Sequence, residues 1–415
     1  MINKLLQKTA FNKEKLIYIL VAIPAKIIKS SFEVLSFLFL TTSDYAKLIP
    51  VFNQSQIAGT WILAGFGSSG YKYFINESFR LRLVVSISIL ILNSILIASI
   101  LAVFKLYKPY DIPSIAIMGG LTWAVITAIA VFLRSSDKLI LSVIVLEVIP
   151  FFGLIIAFLL NGRLFFFEVT NLFIFTLGLT LFISLLILII MNKELLLVRF
   201  FSAKKLHHYK EYFYVSAPFA LVSCSNILLS RIDTTIVSEL VDEKEFSSYT
   251  ISVRFAALIL TVGYIFQHYY ISNITRMLLS QQSASAHQQI IFYMRDTFLL
   301  SCVALIGMYF SILIGLLDWF GITIDISIFL SASFLLIFIA PLTLLTYVLI
   351  LCGDIKLVTL SALAGLSVSI ALINYFGAEL EISNLPYILF GSMLMSKLIE
   401  LACFAKKGRS KLLPS

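Results

Sequence analysis

The sequence predicts an all-α polytopic membrane protein: about twelve transmembrane helices in two six-helix bundles around a central cavity, with both termini cytoplasmic. Three observations lead there. The 415 residues are 60% hydrophobic and only 13% charged, whereas a soluble domain is about 45–50% apolar and about 25% charged. The apolar residues come in runs of about twenty, the length a helix needs to cross a hydrocarbon core about 30 Å thick, and not in the alternating segments of about ten that mark a transmembrane barrel. Lys and Arg, finally, collect on one side when these runs are threaded back and forth. The composition excludes a water-soluble enzyme and a disordered chain. The spread of apolar residues along the whole length excludes a single-span receptor.

The runs are 16–40, 48–69, 83–104, 112–133, 138–160, 168–191, 213–238, 247–272, 296–317, 326–350, 356–376 and 386–404. The first follows a basic tail and contains Lys26, Lys29 and Glu33. It has no small-residue cleavage site, so a span is expected there and not a cleavable signal peptide. With the N-terminus inside, 21 basic residues fall on the cytoplasmic side and five outside, and Lys26, Lys29, Arg231, Arg254 and Lys397 remain within spans. If the first run did not cross, the split would drop to 17 against 9. Positive loops stay inside, so crossing is the better reading. The net charge of +9 is therefore mostly a matter of orientation.

The longest connection, 192–212, is polar and basic and follows the sixth run. This gives an N-terminal bundle over 1–191, a basic cytoplasmic connector over 192–212, a C-terminal bundle over 213–404 and a basic cytoplasmic tail over 405–415. The first run of each half begins near a proline, Pro24 and Pro218. Each is followed by a short outside loop and a re-entry, Ser43-Asp44-Tyr45-Ala46 and Ser247-Ser248-Tyr249-Thr250. The match favours an internal duplication, as in many transporters. The competing reading is coincidence in a chain of low complexity.

Ionisable residues at bilayer depth are costly and usually face a cavity or a partner helix. In the first run Lys26, Lys29 and Glu33 share one helical face, and Lys26 lies about 15 Å from the inner end, too deep for easy snorkelling. They read either as a cationic cavity wall or as a structural Lys–Glu pair. Arg231 and Arg254, on the seventh and eighth runs, both lie roughly 10 Å below the outer side. Two arginines in one layer need anions, and Asp233 can serve one of them, so the layer is expected to carry spare positive charge. The alternative is an interhelical salt bridge near the interface. Glu147, just before Pro150, is either a protonatable coupling residue or a neutral acid hydrogen-bonded to a neighbour. Lys397 and Glu400, three apart, read as a mutually neutralising pair. Asn226 and Gln267 are candidate interhelical hydrogen-bonders. Pro150 and Pro341 interrupt helices where moving bundles could bend.

Other patterns carry less. Gly65-Phe66-Gly67-Ser68-Ser69-Gly70 fits G-x-G-x-x-G in letters only, because a membrane helix precedes it where a dinucleotide fingerprint needs a strand. Small residues there favour close helix packing. No P-loop is present. His207, His208, His268 and His287 lack metal-ligand spacing, and Cys224, Cys302, Cys352 and Cys403 are scattered in apolar stretches. No catalytic residues, metal or cofactor are expected. Lys204-Lys205-Leu206-His207-His208 reads as an orientation signal at anionic headgroups and not as a nucleic-acid site.

The layout, with Ser43-Asp44-Tyr45-Ala46, the small-residue run Gly65 to Gly70, Arg80 and Arg82, Ser216-Ala217-Pro218, Arg231-Ile232-Asp233, Tyr249 and Arg254, resembles the O-antigen type polysaccharide flippases of the multidrug/oligosaccharidyl-lipid/polysaccharide exporter superfamily. Ala46 and Thr250 stand where that family usually has glycine and small residues. The resemblance implies a flippase in the bacterial cytoplasmic (inner) membrane that moves an undecaprenyl-diphosphate-linked oligosaccharide by alternating access. Other polysaccharide-assembly membrane proteins are candidate partners. A diphosphate needs cations in a low-dielectric cavity, and Lys26, Lys29, Arg231 and Arg254 are available. Glu33, Glu147 and Asp233 are the candidates for ion coupling. One rival is a drug or metabolite antiporter of the same superfamily, expected to favour acidic cavity residues. Another is a membrane polysaccharide polymerase or ligase, whose long outside loop is missing here. A third is a membrane protein whose buried ion pairs are only structural.

Overall fold

A computed structural model describes residues 13–63, 114–135, 138–161, 167–191, 206–376 and 381–407. First come α1 (Lys13–Phe37), α2 (Thr42–Leu63) and α3 (Ser114–Ser135). Next is α4, which joins α-helical Leu139–Val143 and Ile149–Leu160 through a π-helical turn, Ile144–Val148. The group ends with α5 (Val169–Met191). Then come α6 (Leu206–Leu240), α7 (Glu243–Leu279), α8 (Ser283–Leu313), α9 (Ile326–Leu351), α10 (Ile355–Phe376) and α11 (Leu385–Lys407). Nine helices among the described residues are long and apolar enough to cross a membrane. α1 and α2, at 25 and 22 residues, are not among the nine. They carry Lys26, Lys29 and Glu33, and Asn53, Gln54 and Gln56, through their lengths. The expected third span, 83–104, lies outside the described residues, as do Gly65 to Gly70, Arg80 and Arg82.

Several helices outrun their predicted spans. α7 has 37 residues and α6 has 35, so both extend well past a core about 30 Å thick. α6 begins at Leu206, inside the segment read as connector. Positions 24 and 218 accordingly lie well inside α1 and α6 and do not open them. In α4 the π turn directly precedes Pro150. Proline has no N–H to give the carbonyl four residues back, and its ring crowds that carbonyl, so a locally wider turn accommodates it.

Helix starts are capped where the sequence supplies a side chain. Asp242 accepts from the backbone N–H of Lys244 and Glu245 at 3.0 and 2.8 Å. Asp325 accepts from Ile328 N–H at 3.1 Å. Ahead of α2, Thr41 accepts from Asp44 N–H at 3.1 Å.

The N-terminal helices pack around aromatic rings: Phe32, Phe52, Trp123, Phe151, Phe158 and Phe173. Phe32 meets Phe52 at 5.0 Å and Phe151 at 5.2 Å in tilted and edge geometries. α2 and α3 approach so closely that a Cβ on Gly120 would stand 2.6 Å from the Ala58 Cβ. A separate aliphatic core, with Val222, Ile274, Ile290, Tyr293, Leu345, Val348 and Phe404, holds the C-terminal helices. A third cluster crosses between the groups, joining Val34, Tyr45 and Ile49 to Leu229, Val237, Phe246, Tyr249 and Phe255. The principal contacts across are α1 with α7, and α2 with α6 and α7. The two re-entry motifs meet here: Tyr45 and Tyr249 are both fully buried in this one cluster.

Candidate functional site

A charged layer lies beside the apolar contact. Glu33 stands four residues from the end of α1. Arg231 is nine residues from the end of α6, and Arg254 is eleven residues into α7. The antiparallel turn between α6 and α7 puts the two arginines at similar depth, as their spacing from the loop predicts.

Glu33 takes both guanidiniums. Its Oε1 accepts from Arg231 Nη1, and its Oε2 accepts from Arg254 Nε at 2.9 Å. Arg254 also donates from Nη2 to Asp233 Oδ1 at 2.8 Å and from Nη1 to the Ser230 carbonyl at 2.9 Å. Asn53, on α2, completes the network. Its Oδ1 accepts from Arg231 Nη1 at 2.8 Å, and its Nδ2 donates to Thr234 Oγ1 at 3.0 Å and to Glu33 Oε2 at 3.3 Å. The side chains of Glu33, Asp233 and Arg254 are 5, 3 and 6% exposed, and that of Arg231 is 23% exposed.

Two acids face two arginines, so these four residues are charge-balanced. This corrects the expectation of spare positive charge. Helical spacing placed Glu33 on the face of Lys26 and Lys29 but could not show that this face turns its C-terminal end toward α6 and α7. Lys29 does not pair with Glu33. Its Nζ lies 3.8 Å from Glu147 Oε1, on the π turn of α4, with the lysine side chain 36% exposed. Lys26 reaches across to α7, where its Nζ donates to the Tyr264 carbonyl at 3.4 Å. The structure thus brings Glu33, Arg231, Asp233 and Arg254 into one network, whereas Lys29 faces Glu147 and Lys26 reaches the Tyr264 carbonyl, nearer the N-terminal end of α1.

Asn53 was missed. Its signal was the polar run Asn53-Gln54-Ser55-Gln56 within a span, since polar side chains at bilayer depth seek a partner helix. Asn226 is half-buried and Gln267 is buried.

A second buried pair lies wholly within the C-terminal helices. Lys397 donates to Glu400 Oε1 and Oε2 at 3.0 and 3.1 Å and also meets Thr346 Oγ1. Glu400 accepts from Thr346 Oγ1 at 2.8 Å and from Ser361 Oγ at 3.3 Å. The mutual neutralisation expected from their spacing is realised. The four cysteines are free, and the described residues hold no group of three His, Cys, Asp or Glu side chains that could bind a metal.

Fold and site define a class: an all-α polytopic membrane protein, with nine helices among the described residues long and apolar enough to span a bilayer, in which helices from the two ends of the chain meet through a buried ionic network. Solved structures share this fold. Lipid II flippase MurJ in an inward closed conformation matches with a TM-score of 0.65 at 13% identity, over 94% of this chain and 87% of that one. The MATE multidrug transporter DinF-BH matches with a TM-score of 0.62 at 12% identity, over 97% of both chains. A Vibrio cholerae MATE transporter, VcmN, matches with a TM-score of 0.53 at 12% identity, over 95% of this chain and 94% of that one. No protein-family model matches the sequence, and no curated protein matches it. The likeness is a distant one and shows the fold alone.

Proposed function

We propose that the chain is a flippase that moves an undecaprenyl-diphosphate-linked oligosaccharide repeat unit, of O-antigen or capsule type, across the bacterial cytoplasmic membrane. It would work by alternating access of two six-helix bundles, residues 1–191 and 213–404, twelve spans in all. Arg231 and Arg254 carry the reading. Two guanidiniums on adjacent helices already clamp one buried carboxylate through both its oxygens, and that is the donor set a phosphate group would engage. Lys26 and Lys29, farther down the same face of α1, extend the cationic path toward the cytoplasmic side. Glu33, Glu147 and Asp233 are the acids whose protonation would couple transport to an ion gradient. The lipid bilayer and other polysaccharide-assembly membrane proteins are the remaining partners.

The balanced charge of the layer also favours a second reading, an ion-coupled antiporter for drugs or metabolites, because cation excess no longer argues against one. Expression in a strain lacking its O-antigen flippase separates the two. The flippase reading expects surface polysaccharide to return with the wild-type chain and to be lost with Arg231→Ala or Arg254→Ala, each inserted at normal levels. Full restoration by both variants would overturn it. Drug efflux without restoration would favour the antiporter.

A further inference from the structure

The arginine pair already has a ligand, and that ligand belongs to the opposite group of helices. Glu33 projects from α1, whereas Arg231 and Arg254 belong to α6 and α7. The two oxygens of one anionic centre each take a different guanidinium, the pattern of contacts a phosphate group would also make. A phosphate-bearing ligand can approach from the Arg231 side, the more open edge of the layer at 23% exposure. It cannot engage both guanidiniums while Glu33 holds Arg231 Nη1 and Arg254 Nε.

The rest of the contact around Glu33 is less secure. Beside the charges it includes the apolar cluster of Val34, Tyr45 and Ile49 against Leu229, Val237 and Tyr249, and the bonds of Asn53 to Thr234 and Arg231. One exposed hydrogen bond, Ser43 Oγ to Glu243 Oε1 at 3.1 Å, joins the ends of α2 and α7. Within the closed contact Tyr45 Oη, Tyr249 Oη and Asp233 Oδ2 are buried without hydrogen-bond partners among the described residues. Each such group weakens the closed arrangement and would recover hydrogen bonds if water entered. The contact is held shut against these penalties, and the Glu33 clamp is its strongest polar tie.

Resting on the anion-site reading above, we propose that Glu33 is an internal competitor for the substrate's diphosphate. With no substrate, its carboxylate fills the arginine pair and ties α1 to α6 and α7 on the outer side. A diphosphate that takes the two guanidiniums expels Glu33 and so undoes the tie. Substrate binding and outer closure are then mutually exclusive uses of the same two arginines. A ligand shifts a two-state equilibrium only through its different affinities for the two states, and this exchange supplies that difference.

The test uses the full-length chain in nanodiscs, with its four cysteines replaced by alanine, Ser43→Cys and Glu243→Cys added to report outer closure by disulfide yield, and inorganic pyrophosphate as the probe. Pyrophosphate should bind and lower the yield. Glu33→Gln should show the low yield without pyrophosphate and bind it about tenfold or more tightly, because the competent state is no longer a minor one. Asp233→Asn changes the charge equally but bridges only α6 and α7, so it should keep or raise the yield. If pyrophosphate binds without changing the yield, or if both acid variants lower the yield alike, the exchange fails while the anion site stands. If pyrophosphate binds neither the wild type nor Glu33→Gln, the anion site itself fails.

Discussion

Lys397→Met removes a buried ammonium and leaves a buried carboxylate behind. The Lys397 and Glu400 side chains are 4 and 1% exposed, and the ammonium donates to both oxygens of Glu400. Without it, Glu400 keeps only the hydroxyls of Thr346 and Ser361. Breaking one member of a buried pair costs about 3–5 kcal/mol, because the survivor is uncompensated. Removing both partners is a different perturbation. In Lys397→Met/Glu400→Leu no charge is stranded, and such replacements are often neutral or stabilising by about 1–4 kcal/mol. The double variant should therefore recover most or all of the single variant's loss, leaving a coupling on the order of 2 kcal/mol or more. Denaturant-induced unfolding of the purified protein in one fixed detergent, run on all four members of the cycle, measures it. A single variant within about 1 kcal/mol of wild type, or a double variant as unstable as the single, would refute the claim that this pair is a strongly coupled structural unit.

Two further outcomes test the packing and the inner charges. Gly120→Leu should destabilise the N-terminal helices by about 1–3 kcal/mol or block insertion, since even a Cβ meets Ala58 and the Gly59 and Ser55 backbone within 3.0 Å. Protease sensitivity of the membrane-inserted chain reports it, and wild-type resistance would contradict the close α2–α3 approach. Lys29→Met should change stability by no more than about 1 kcal/mol, because the lysine is 36% exposed and its pair with Glu147 spans 3.8 Å. Unfolding of the Lys29→Met and Glu147→Gln variants checks it, and a loss as large as that expected for Lys397→Met would show the pair to be structural.

What was legible in the sequence follows from what a bilayer demands. Apolar runs fixed the existence of the described helices, because a backbone in lipid must satisfy its own hydrogen bonds. They did not fix the ends. The run 296–317 became a helix over Ser283–Leu313, since its polar first turns form helix without needing to be apolar. Lys397 and Glu400 were legible as a pair because they lie one turn apart on the same helix. Glu33 was not, because its partners come from helices roughly two hundred residues away, and a helical face does not name its neighbour. Asn53 escaped for the same reason. The likeness of Ser43-Asp44-Tyr45-Ala46 to Ser247-Ser248-Tyr249-Thr250 was visible only as letters, whereas in the structure both tyrosines converge on one interface.

The length of α7 has a mechanical consequence. Its 37 residues contain no proline, unlike α1, α2 and α9, which contain Pro24, Pro50 and Pro341. Gly263, the one glycine of α7, sits against the Ala340 carbonyl, where a Cβ would come within 2.9 Å. The helix thus has no proline kink, and Arg254 ties its first third to α1 and α6. From there to Leu279 is a lever arm of roughly 37 Å at 1.5 Å per residue. A tilt of about 10° around Arg254 would sweep the Leu279 end through about 6 Å. A small rotation at the arginines would thereby become a displacement the width of a side chain at the Leu279 end of the helix.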